Sequence, residues 1–407
     1  MRLLVISQYF WPENFRINDL VTELVRRGHE VTVLTGKPNY PDGKIFSEFS
    51  EHPEKFSSYQ GARILRVPIW PRGSGRLSLF LNYLSYAISA TLFGISHFRN
   101  TQFDAIFVFE PSPVTVGLPA IALRRVKGWP VTLWVLDQWP ETLSAVGGVK
   151  SKIVLDWVGR LVTYIYNRCD LVLAQSKSLI PLIGKYCSDH EKIKYFPSWA
   201  EPDYGTNTSE IAPEIPIRNG CFNIMFAGNI GESQDFPAIL DAAEQLKTNG
   251  NIRWLIVGDG RMAGWVKDEV IRRGLQKSFI MLGRHPVGRM PSFYLHADAM
   301  LVTLKPDPVF SLTLPGKIQS YLAAGIPILG MLDGEGANVI NDAQAGLSCR
   351  AGDSKALADA ILRLSLLTAT KRNVMGKRSR TYSQCEFDRG MLISKLETWL
   401  MDLPLKP

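Results

Sequence analysis

A lysine at the start of a predicted helix is the residue in this chain that most clearly calls for a charged partner. The stretch TLPGKIQSYLAAGIPIL (313–329) predicts a helix that begins at Pro315 and ends at Gly325. Gly316 and Lys317 then occupy the first turn, where backbone N–H groups have no partner within the helix. A cation is unfavourable at this positive end of the helix dipole unless an anion also binds. The stretch predicts a phosphate or diphosphate site, and the alternative is that Lys317 runs along the domain surface.

Turn glycines follow two further predicted strands in the same half of the chain. Gly228 stands in FAGNIGES (226–233), and Gly258 and Gly260 stand in IVGDGRMAGW (256–265). A glycine has no Cβ, so a ligand could approach the backbone closely at these positions. The second stretch resembles a dinucleotide-binding fingerprint only in part, because its last glycine is wrongly spaced. Ligand contact and plain tight turns therefore both stay open.

The amino-terminal half carries charged side chains in the loops after its own predicted strands. Glu13, Asn14 and Arg16 open a helix after the first strand, and Asp137 and Glu141 follow a later one in LDQWPETL. A carboxylate at the end of a strand could take a proton from a hydroxyl group. Asp137 could equally cap the next turn, which is the commoner use of an aspartate before a helix.

Short apolar runs alternate with helix-length segments along the whole chain. This spacing is typical of βαβ units in doubly wound parallel sheets. The pattern pauses over 199–220, so it predicts two Rossmann-like α/β domains that face a cleft. The strands are predicted at 2–7, 31–35, 105–109, 131–136 and 171–174, and then at 222–228, 252–258, 279–283, 299–304 and 326–330.

The composition excludes several other classes of protein. The chain has 407 residues, and its five cysteines are scattered without a CxxC, which fits a reducing cytoplasm better than a disulfide framework or a zinc site. No HExxH, DxD or Walker motif is present, and neither half carries a complete dinucleotide fingerprint. We therefore expect neither a bound metal nor a dehydrogenase cofactor.

The positive charge is concentrated in the amino-terminal half. Of the net charge of +8, residues 1–198 contribute +7, from 23 Lys and Arg against 16 Asp and Glu. Such a half suggests a polyanionic partner or an anionic membrane surface, and the alternative is a solvated face with no partner.

The segment RLSLFLNYLSYAISATLFGISHF (76–98) is apolar and long enough to span a membrane. Its serines and its Asn82 favour instead an amphipathic helix that packs on the domain or touches a bilayer, with Arg72, Arg76 and Arg99 beside it. An ordinary core-facing helix is the other alternative. The apolar positions at helical spacing are Leu77, Phe80, Leu81, Leu84, Ile88, Leu92 and Ile95.

Taken together, these stretches resemble the family-4 glycosyltransferases of the GT-B fold. The resemblance runs from ISQYFWPENFRINDL and RGHEVTVLTGKPNYPDGKI through LDQWPETL and FPSWAE to FAGNIGESQDF, IVGDGR, LPGKIQSYLAAGIPIL and GEGANVI. The order and spacing are most similar to transferases of N-acetyl-fucosamine and related amino-deoxyhexoses in bacterial O-antigen and capsule synthesis. Such enzymes act on lipid-linked intermediates at the inner face of the cytoplasmic membrane.

The resemblance implies a retaining, metal-independent transfer from a UDP-sugar to a polyprenyl-diphosphate-linked saccharide. It implies an acceptor-binding domain over 1–198, a donor-binding domain over 199–385, and a terminal helix and tail over 386–407 that could pack back on the first domain. Nucleic acid is not an expected partner. The predicted donor-binding residues are Gly228, Asn229, Gly258, Gly260, Arg261, Arg284, His285, Pro315, Gly316, Lys317, Ser320 and Glu335. Asp137 and Lys317 are the predicted catalytic residues, and Glu13, Asn14, Arg16, Tyr40 and Glu141 the predicted acceptor contacts.

The chain also departs from the pattern of this family. Leu312 and Ser320 stand where many members carry two glutamates, and Asn229 and Gln234 stand where an arginine and a lysine are usual. The cations that could replace the missing ones are Lys317, Lys305, Arg261 and Arg284. A UDP-sugar 2-epimerase of the same fold and a non-catalytic nucleotide-sugar-binding protein stay open as alternatives.

Overall fold

The computed structural model describes residues 1–41, 43–73, 75–145, 148–200 and 210–404. The chain divides into two compact units, Met1–Pro197 with Gly390–Pro407, and Ser198–Arg389. Part of the predicted pause in the strand pattern, 201–209, and the end of the predicted tail lie outside the described residues.

The first unit is built on an eight-stranded sheet of order β3-β4-β2-β1-β5-β6-β7-β8. Its neighbouring strands run parallel except for the β3–β4 pair, which is antiparallel. The strands are β1 (Arg2–Ile6), β2 (Glu30–Gly36), β3 (Ser58–Tyr59), β4 (Ala62–Val67), β5 (Ala105–Glu110), β6 (Val131–Val135), β7 (Leu171–Ala174) and β8 (Ile193–Tyr195). The helices are α1 (Arg16–Arg26), α2 (Ser47–Glu51), α3 (Arg76–His97), α4 (Gly117–Lys127), α5 (Glu141–Ala145), α6 (Lys152–Arg168) and α7 (Ile180–Tyr186).

The second unit contains a six-stranded parallel sheet of order β11-β10-β9-β12-β13-β14. The strands are β9 (Phe222–Ala227), β10 (Ile252–Val257), β11 (Phe279–Gly283), β12 (Ala299–Thr303), β13 (Ile328–Met331) and β14 (Gly346–Cys349). The helices are α8 (Phe236–Gln245), α9 (Ala263–Arg272), α10 (Met290–Tyr294), α11 (Pro308–Leu312), α12 (Gly316–Ala324), α13 (Glu335–Asp342), α14 (Ser354–Ser365) and α15 (Ala369–Glu386). A last helix, α16 (Arg389–Met401), belongs to the first unit apart from its first residue.

The central strands of the second sheet are buried on both faces, which is why they appear in the sequence as continuous apolar runs. On β9, Ile224 and Phe226 enter one hydrophobic cluster while Met225 and Ala227 enter the other. Because both faces are covered by helices, the carboxyl ends of the strands are where a ligand can reach this sheet.

All ten predicted strands are present, and the residues that the structure describes contain four further strands that were not predicted. β3, β8 and β14 are short edge strands of two to four residues, and β14 is only half-buried. β4 has exposed or half-buried arginines at 63 and 66, which interrupt an apolar run. Edge strands bury less apolar surface, so they leave a weaker signal in the sequence.

Helix α3 turns its large aliphatic side chains away from the unit that it packs on. Asn82 and Tyr86 are fully buried, and the Tyr86 hydroxyl donates to the Leu34 carbonyl at 3.0 Å. Small residues share this inner face, whereas Leu77, Phe80, Leu84, Ile88 and Leu92 are 40–71 % exposed. Leu81 and Ile95 are half-buried. The alternative of an ordinary core-facing helix is therefore wrong for the leucine face. Length and composition alone would let Leu77–His97 cross a membrane, and 28 % of the most apolar part of that stretch is buried.

The last helix is joined to the first unit through a shared carboxylate. Glu397 on α16 accepts from Arg27 Nη1 at 2.5 Å and contacts His29 Nε2 at 2.6 Å. Burial works against the charged form of Glu397, but the two hydrogen bonds and the charges of Arg27 and His29 outweigh it and lower its pKa. The ion network therefore holds α16 beside the end of α1 and the start of β2.

Candidate active site

A pocket of about 500 Å³ opens at the carboxyl ends of β9, β10 and β11 in the second unit. This is the edge at which parallel α/β sheets bind ligands. Six of the predicted donor-binding residues line it: Gly228, Asn229, Gly258, Gly260, Arg284 and His285. Asp259, Val287, Met290 and Tyr294 complete much of the remaining wall.

The glycines of this pocket are required by the packing of two turns against each other. Gly228, Gly258 and Gly260 have φ of 139°, 142° and 159°, a region that favours glycine. A Cβ on Gly258 would lie 1.9 Å from the Gly228 carbonyl oxygen, and one on Gly260 would lie 2.5 Å from Asn229 Oδ1. The tight-turn interpretation therefore describes these glycines, and the turns that they permit form the floor of the pocket.

Helix α12 begins beside the same turns, one residue after the start that its sequence predicts. Pro315 is the residue before the helix, which has no side-chain cap, and Gly325 ends it with φ of 70°. The Tyr321 hydroxyl accepts from the backbone N–H of Ala227 and donates to its carbonyl, each at 3.1 Å. These two bonds fix α12 to the end of β9, so that its first turn lies next to Gly228.

The Lys317 ammonium lies beneath Gly228 without a carboxylate partner among the described residues. Its Nζ donates to Gln234 Oε1 at 2.6 Å and lies 3.6 Å from the centre of the Phe226 ring. A Cβ on Gly228 would be 2.6 Å from Lys317 Cε. Burial lowers the pKa of Lys317 to about 7. An anion in the adjacent pocket would supply the counter-charge that this lysine lacks.

The other candidate cations are placed differently. Arg284 is exposed and lines the pocket, whereas Arg261 is exposed but does not line it. Lys305 is half-buried, and its charge acts on Asp235, whose pKa burial raises. Of these four cations, Arg284 lines the pocket and Lys317 lies against the Gly228 turn.

Ser320 and Glu335 do not line the pocket. The Ser320 hydroxyl donates to the Gly316 carbonyl at 3.3 Å within α12. Glu335 is buried at the first position of α13, where a carboxylate is favourable beside the positive end of the helix dipole. These positions give both side chains a role within their own helices.

His285 belongs to a polar group at the rim of the pocket. Its Nε2 donates to the Leu282 carbonyl at 3.0 Å, and its ring lies 4.5 Å from that of Phe293. Its Nδ1 lies 3.9 Å from Glu214 Oε1, and Arg289 binds the same carboxylate through two nitrogens. Glu214 and Arg289 were not predicted, because 75 positions separate them in the sequence.

Asp137 lies at the carboxyl end of β6 and holds the turn that follows. It accepts from the Gln138 N–H at 2.9 Å, the Thr142 hydroxyl at 2.7 Å and Trp139 Nε1 at 3.0 Å. Turn capping, the alternative weighed for Asp137, is thus what its contacts show. Glu141 Oε1 accepts from the Tyr186 hydroxyl at 3.0 Å.

Glu13 clamps two loops of the first unit together. Its carboxylate accepts from the backbone N–H groups of Phe10 at 3.1 Å and of Asn39 and Tyr40 at 2.8 Å each. Because the side chain is 3 % exposed and its oxygens are occupied, we assign it a structural role in place of the predicted acceptor contact.

The remaining predicted acceptor contacts lie on these loops or at the start of the following helix. Asn14 is exposed, and Arg16 is half-buried at the first position of α1. The Tyr40 ring packs on Tyr9 and Phe15 at 5.4 and 5.2 Å between ring centres.

Two charged residues of this edge were missed. Glu110, the last residue of β5, is fully buried, and burial together with the charge of Asp137 raises its pKa well above the ordinary value. Arg72 lies in the loop after β4, where its Nη1 donates to the Tyr9 hydroxyl at 3.0 Å. An acid at the end of a buried strand was a usable signal for Glu110. Arg72 was assigned only to the neighbourhood of α3.

Among the described residues, no group of three or more His, Cys, Asp or Glu side chains gathers as metal ligands would. The pocket is lined by the glycine turns and Arg284, while Lys317 and the uncapped start of α12 do not line it but lie behind the Gly228 turn. Within the part of the chain that the structure describes, Lys317 has no carboxylate partner, so this edge can hold an anion through N–H groups and cations. The arrangement fits the diphosphate of a nucleotide.

The sequence matches two families that together span most of both units. Residues 14–199 match "Glycosyl transferase 4-like domain", and residues 221–366 match "Glycosyl transferases group 1". The chain belongs to the group 1 glycosyltransferases, and it is an enzyme of the glycosyltransferase class, EC 2.4.

Curated relatives share about a quarter of the residues. The chain is similar to "Probable glycosyltransferase WbjE" of Pseudomonas aeruginosa, with 26 % identity over 78 % of this chain and 81 % of that protein. It is also similar to "Putative colanic acid biosynthesis glycosyl transferase WcaI" of Escherichia coli K12, with 24 % identity over 80 % of this chain and 82 % of that protein.

Solved structures of low identity share the fold. Anabaena HepE in complex with UDP and glucose gives a TM-score of 0.70 at 14 % identity, over 99 % of both chains. WaaG, a glycosyltransferase involved in lipopolysaccharide biosynthesis, gives 0.67 at 14 % identity, over 99 % of this chain and all of that one. The predicted GT-B fold of two Rossmann-like domains is confirmed.

Proposed function

We propose that this glycosyltransferase moves a sugar from UDP to a polyprenyl-diphosphate-linked saccharide in O-antigen or capsule biosynthesis, with retention of configuration. The observation that carries the donor class is the Lys317 ammonium, which lies against the Gly228 turn and has no carboxylate partner in the described ranges of the chain. HepE, of the same fold, is known in complex with UDP-glucose. A nucleoside diphosphate places its charge where this chain offers a cation and free helix amides.

The polysaccharide context is supported by the relatives. WcaI is named for colanic acid biosynthesis, and WaaG takes part in lipopolysaccharide biosynthesis. The transferred sugar that we propose is an N-acetylated amino-deoxyhexose such as N-acetyl-fucosamine, on the sequence resemblance described above. A hydrogen-bonding site can discriminate such sugars strongly, so a donor screen tests this proposal directly.

The proposed chemistry places the donor on the second unit and the acceptor on the first. The acceptor hydroxyl attacks the anomeric carbon as the diphosphate leaves, and Lys317 with the first amides of α12 stabilises the developing charge without a metal. Arg284 and His285, on the pocket wall, are proposed neighbours of the base. Asp137 is the proposed base or acceptor contact, since it follows β6 by two residues at the ligand-binding edge of the first sheet.

The donor class is tested by thermal and denaturant unfolding with UDP, GDP, ADP and NAD⁺. At a hundred times its dissociation constant, UDP should raise the free energy of unfolding by about 2.7 kcal/mol, and the other three should not. Stabilisation by NAD⁺, or by none of the four, would contradict the donor assignment. Conversion of a UDP-sugar without any acceptor would indicate an epimerase, and donor binding with no turnover on any acceptor a non-catalytic protein.

The enzyme is proposed to work in the cytoplasm, on the inner face of the cytoplasmic membrane. The exposed side chains Leu77, Phe80, Leu84, Ile88 and Leu92 form one stripe along α3, which a bilayer surface could cover. The positive charge of the amino-terminal half would favour anionic lipid headgroups.

Replacing Leu84 and Ile88 together by glutamate should release the protein from anionic vesicles. Both side chains are at least 40 % exposed, so folding should survive, whereas two carboxylates in an apolar stripe oppose insertion. We expect the partition coefficient onto phosphatidylglycerol vesicles to fall about 10- to 100-fold, from loss of the burial of two aliphatic side chains. The matched control is Leu366→Glu, an 83 % exposed leucine of the second unit. Equal sedimentation of the double variant and the control with vesicles would contradict the assignment.

A further inference from the structure

Arg72 is a half-buried cation whose surroundings are phenols. Its Nη1 donates to the Tyr9 hydroxyl at 3.0 Å, and its guanidinium carbon lies 5.3 Å from the centre of the Tyr40 ring. Tyr9 is 2 % exposed, and burial raises its pKa, so this phenol stays neutral. Within the described ranges, no carboxylate lies within 4.0 Å of the guanidinium. The arginine is held in place, yet its charge is not neutralised.

The position of Arg72 is fixed by its neighbours. Its backbone N–H donates to Asn39 Oδ1 at 2.8 Å, in the loop after β2. Two residues earlier, the Trp70 N–H donates to Ser85 Oγ at 2.8 Å, and the Trp70 carbonyl accepts from Asn82 Nδ2 at 2.6 Å. The segment that carries Arg72 is therefore tied to helix α3 on one side and to the loops at the carboxyl edge of the sheet on the other.

Tyr83 connects this arginine to the proposed reacting centre of the first unit. The Tyr83 ring meets Trp139 edge-on at 6.3 Å, and Trp139 Nε1 donates to Asp137. Burial raises the pKa of Tyr83, the charge of Arg72 opposes this shift, and Asp137 adds to it. Arg72 and Asp137 thus both lie close enough to Tyr83 to affect its ionisation.

The most exposed apolar side chains of the neighbourhood flank the arginine in sequence. Trp70 is 54 % exposed, and Leu77 and Phe80, in the first turns of α3, are 71 % and 59 % exposed. An unneutralised cation beside exposed apolar groups fits a ligand with an anionic head and a hydrocarbon tail. An anionic sugar alone would leave the apolar groups unused, and an apolar ligand alone would leave the cation unpaired.

We propose that Arg72 binds the diphosphate of the lipid-linked acceptor, with Trp70 and the start of α3 against the first units of its polyprenyl chain. The proposal rests on the proposed function for the identity of the acceptor, and it adds the residue that recognises the part of the acceptor remote from the reacting hydroxyl. A guanidinium suits this task because its planar fork can bind two phosphate oxygens at once. The acceptor sugar would then be held toward Asp137.

The test is calorimetric binding of farnesyl diphosphate, a short soluble lipid diphosphate, to the full chain. Arg72→Met should weaken this binding about 10- to 100-fold, the usual range for a hydrogen-bonded charge. The affinity of Arg72→Lys for farnesyl diphosphate should lie between those of wild type and Arg72→Met, because lysine keeps the positive charge but lacks the planar fork of the guanidinium. Trp70→Ala should weaken the binding of farnesyl diphosphate but leave the binding of inorganic diphosphate unchanged. The matched control is Arg63→Met, an exposed arginine on β4 that removes the same charge.

Three results would overturn the proposal. The first is that Arg72→Met and Arg63→Met bind farnesyl diphosphate equally well. The second is that wild type has the same affinity for inorganic diphosphate as for farnesyl diphosphate. The third is that Lys317→Met no longer binds farnesyl diphosphate. The last result would mean that the probe enters the donor pocket. UDP affinity, measured on every variant, keeps the two proposals apart. Normal UDP affinity of Arg72→Met would show that this variant is folded. If wild type binds farnesyl diphosphate but does not bind UDP, only the donor assignment is refuted.

Discussion

Replacing Lys317 by methionine should lower kcat about 10²–10³-fold, as the loss of one preorganised charged donor does at a developing anion. Methionine keeps an unbranched apolar side chain against Phe226 and Gly228, so the turns around the pocket should keep their packing. The chain loses only the ammonium that we propose to neutralise the leaving diphosphate. Steady-state kinetics with the best UDP-sugar of the donor screen provide the measurement.

The control is Lys355→Met, an exposed lysine on α14 of the same unit. This substitution removes the same charge at a position far along the sequence from the glycine turns. The kcat of this variant should equal that of wild type. The free energy of unfolding should not fall in Lys317→Met, because the variant removes a cation that burial disfavours. Unchanged turnover in Lys317→Met would refute the proposed role of this lysine.

Donor affinity should weaken as the pH rises above about 7, by up to tenfold per pH unit. Burial holds the pKa of Lys317 at about 7 in the free protein, so the lysine loses its proton above that pH. A bound diphosphate beside Nζ would raise that pKa toward its ordinary value. Binding at pH 8 to 9 must therefore take up a proton, which makes the dissociation constant pH-dependent.

Titration of a UDP-sugar between pH 6 and 9.5 measures this effect, and calorimetry in buffers of different ionisation enthalpy counts the proton directly. The stability of the free protein should change in the opposite sense. Because the pKa of Lys317 is lower in the folded than in the unfolded chain, its contribution to the free energy of unfolding grows as the pH rises from about 7 toward 10. Both slopes should be absent in Lys317→Met. A flat affinity profile in wild type would show that Lys317 does not face the diphosphate.

The local parts of the donor site follow from short stretches of sequence. The bounds of α12 depend on Pro315 and Gly325, which act on the backbone within one turn of the helix. The central strands follow from apolar runs that are buried on both faces. The placement of Gly228, Gly258 and Gly260 at strand ends is equally local, and the structure brings these three glycines into one pocket.

The first unit was less predictable because its polar side chains have alternative uses. Glu13 was predicted to contact the acceptor, but it binds backbone N–H groups at positions 39 and 40, far along the chain. The leucines of α3 have the spacing of a core-facing helix, and the helix instead buries Asn82 and Tyr86. Periodicity identifies the faces of a helix, but which face is buried depends on the partners that the rest of the chain supplies.

By itself, the sequence determined two doubly wound α/β domains, the helix whose first turn carries Lys317 and the family to which the chain belongs, because each depends on patterns within a few turns or on motif order. Only the tertiary structure decided how deeply Lys317 and Arg72 are buried and which side chains they contact. Lys317 meets Gln234 and Phe226 from more than 80 positions away, and Arg72 meets Tyr9 from 63 positions away. The burial of a charge and the presence of its counter-ion depend on such distant contacts, which chain folding brings together.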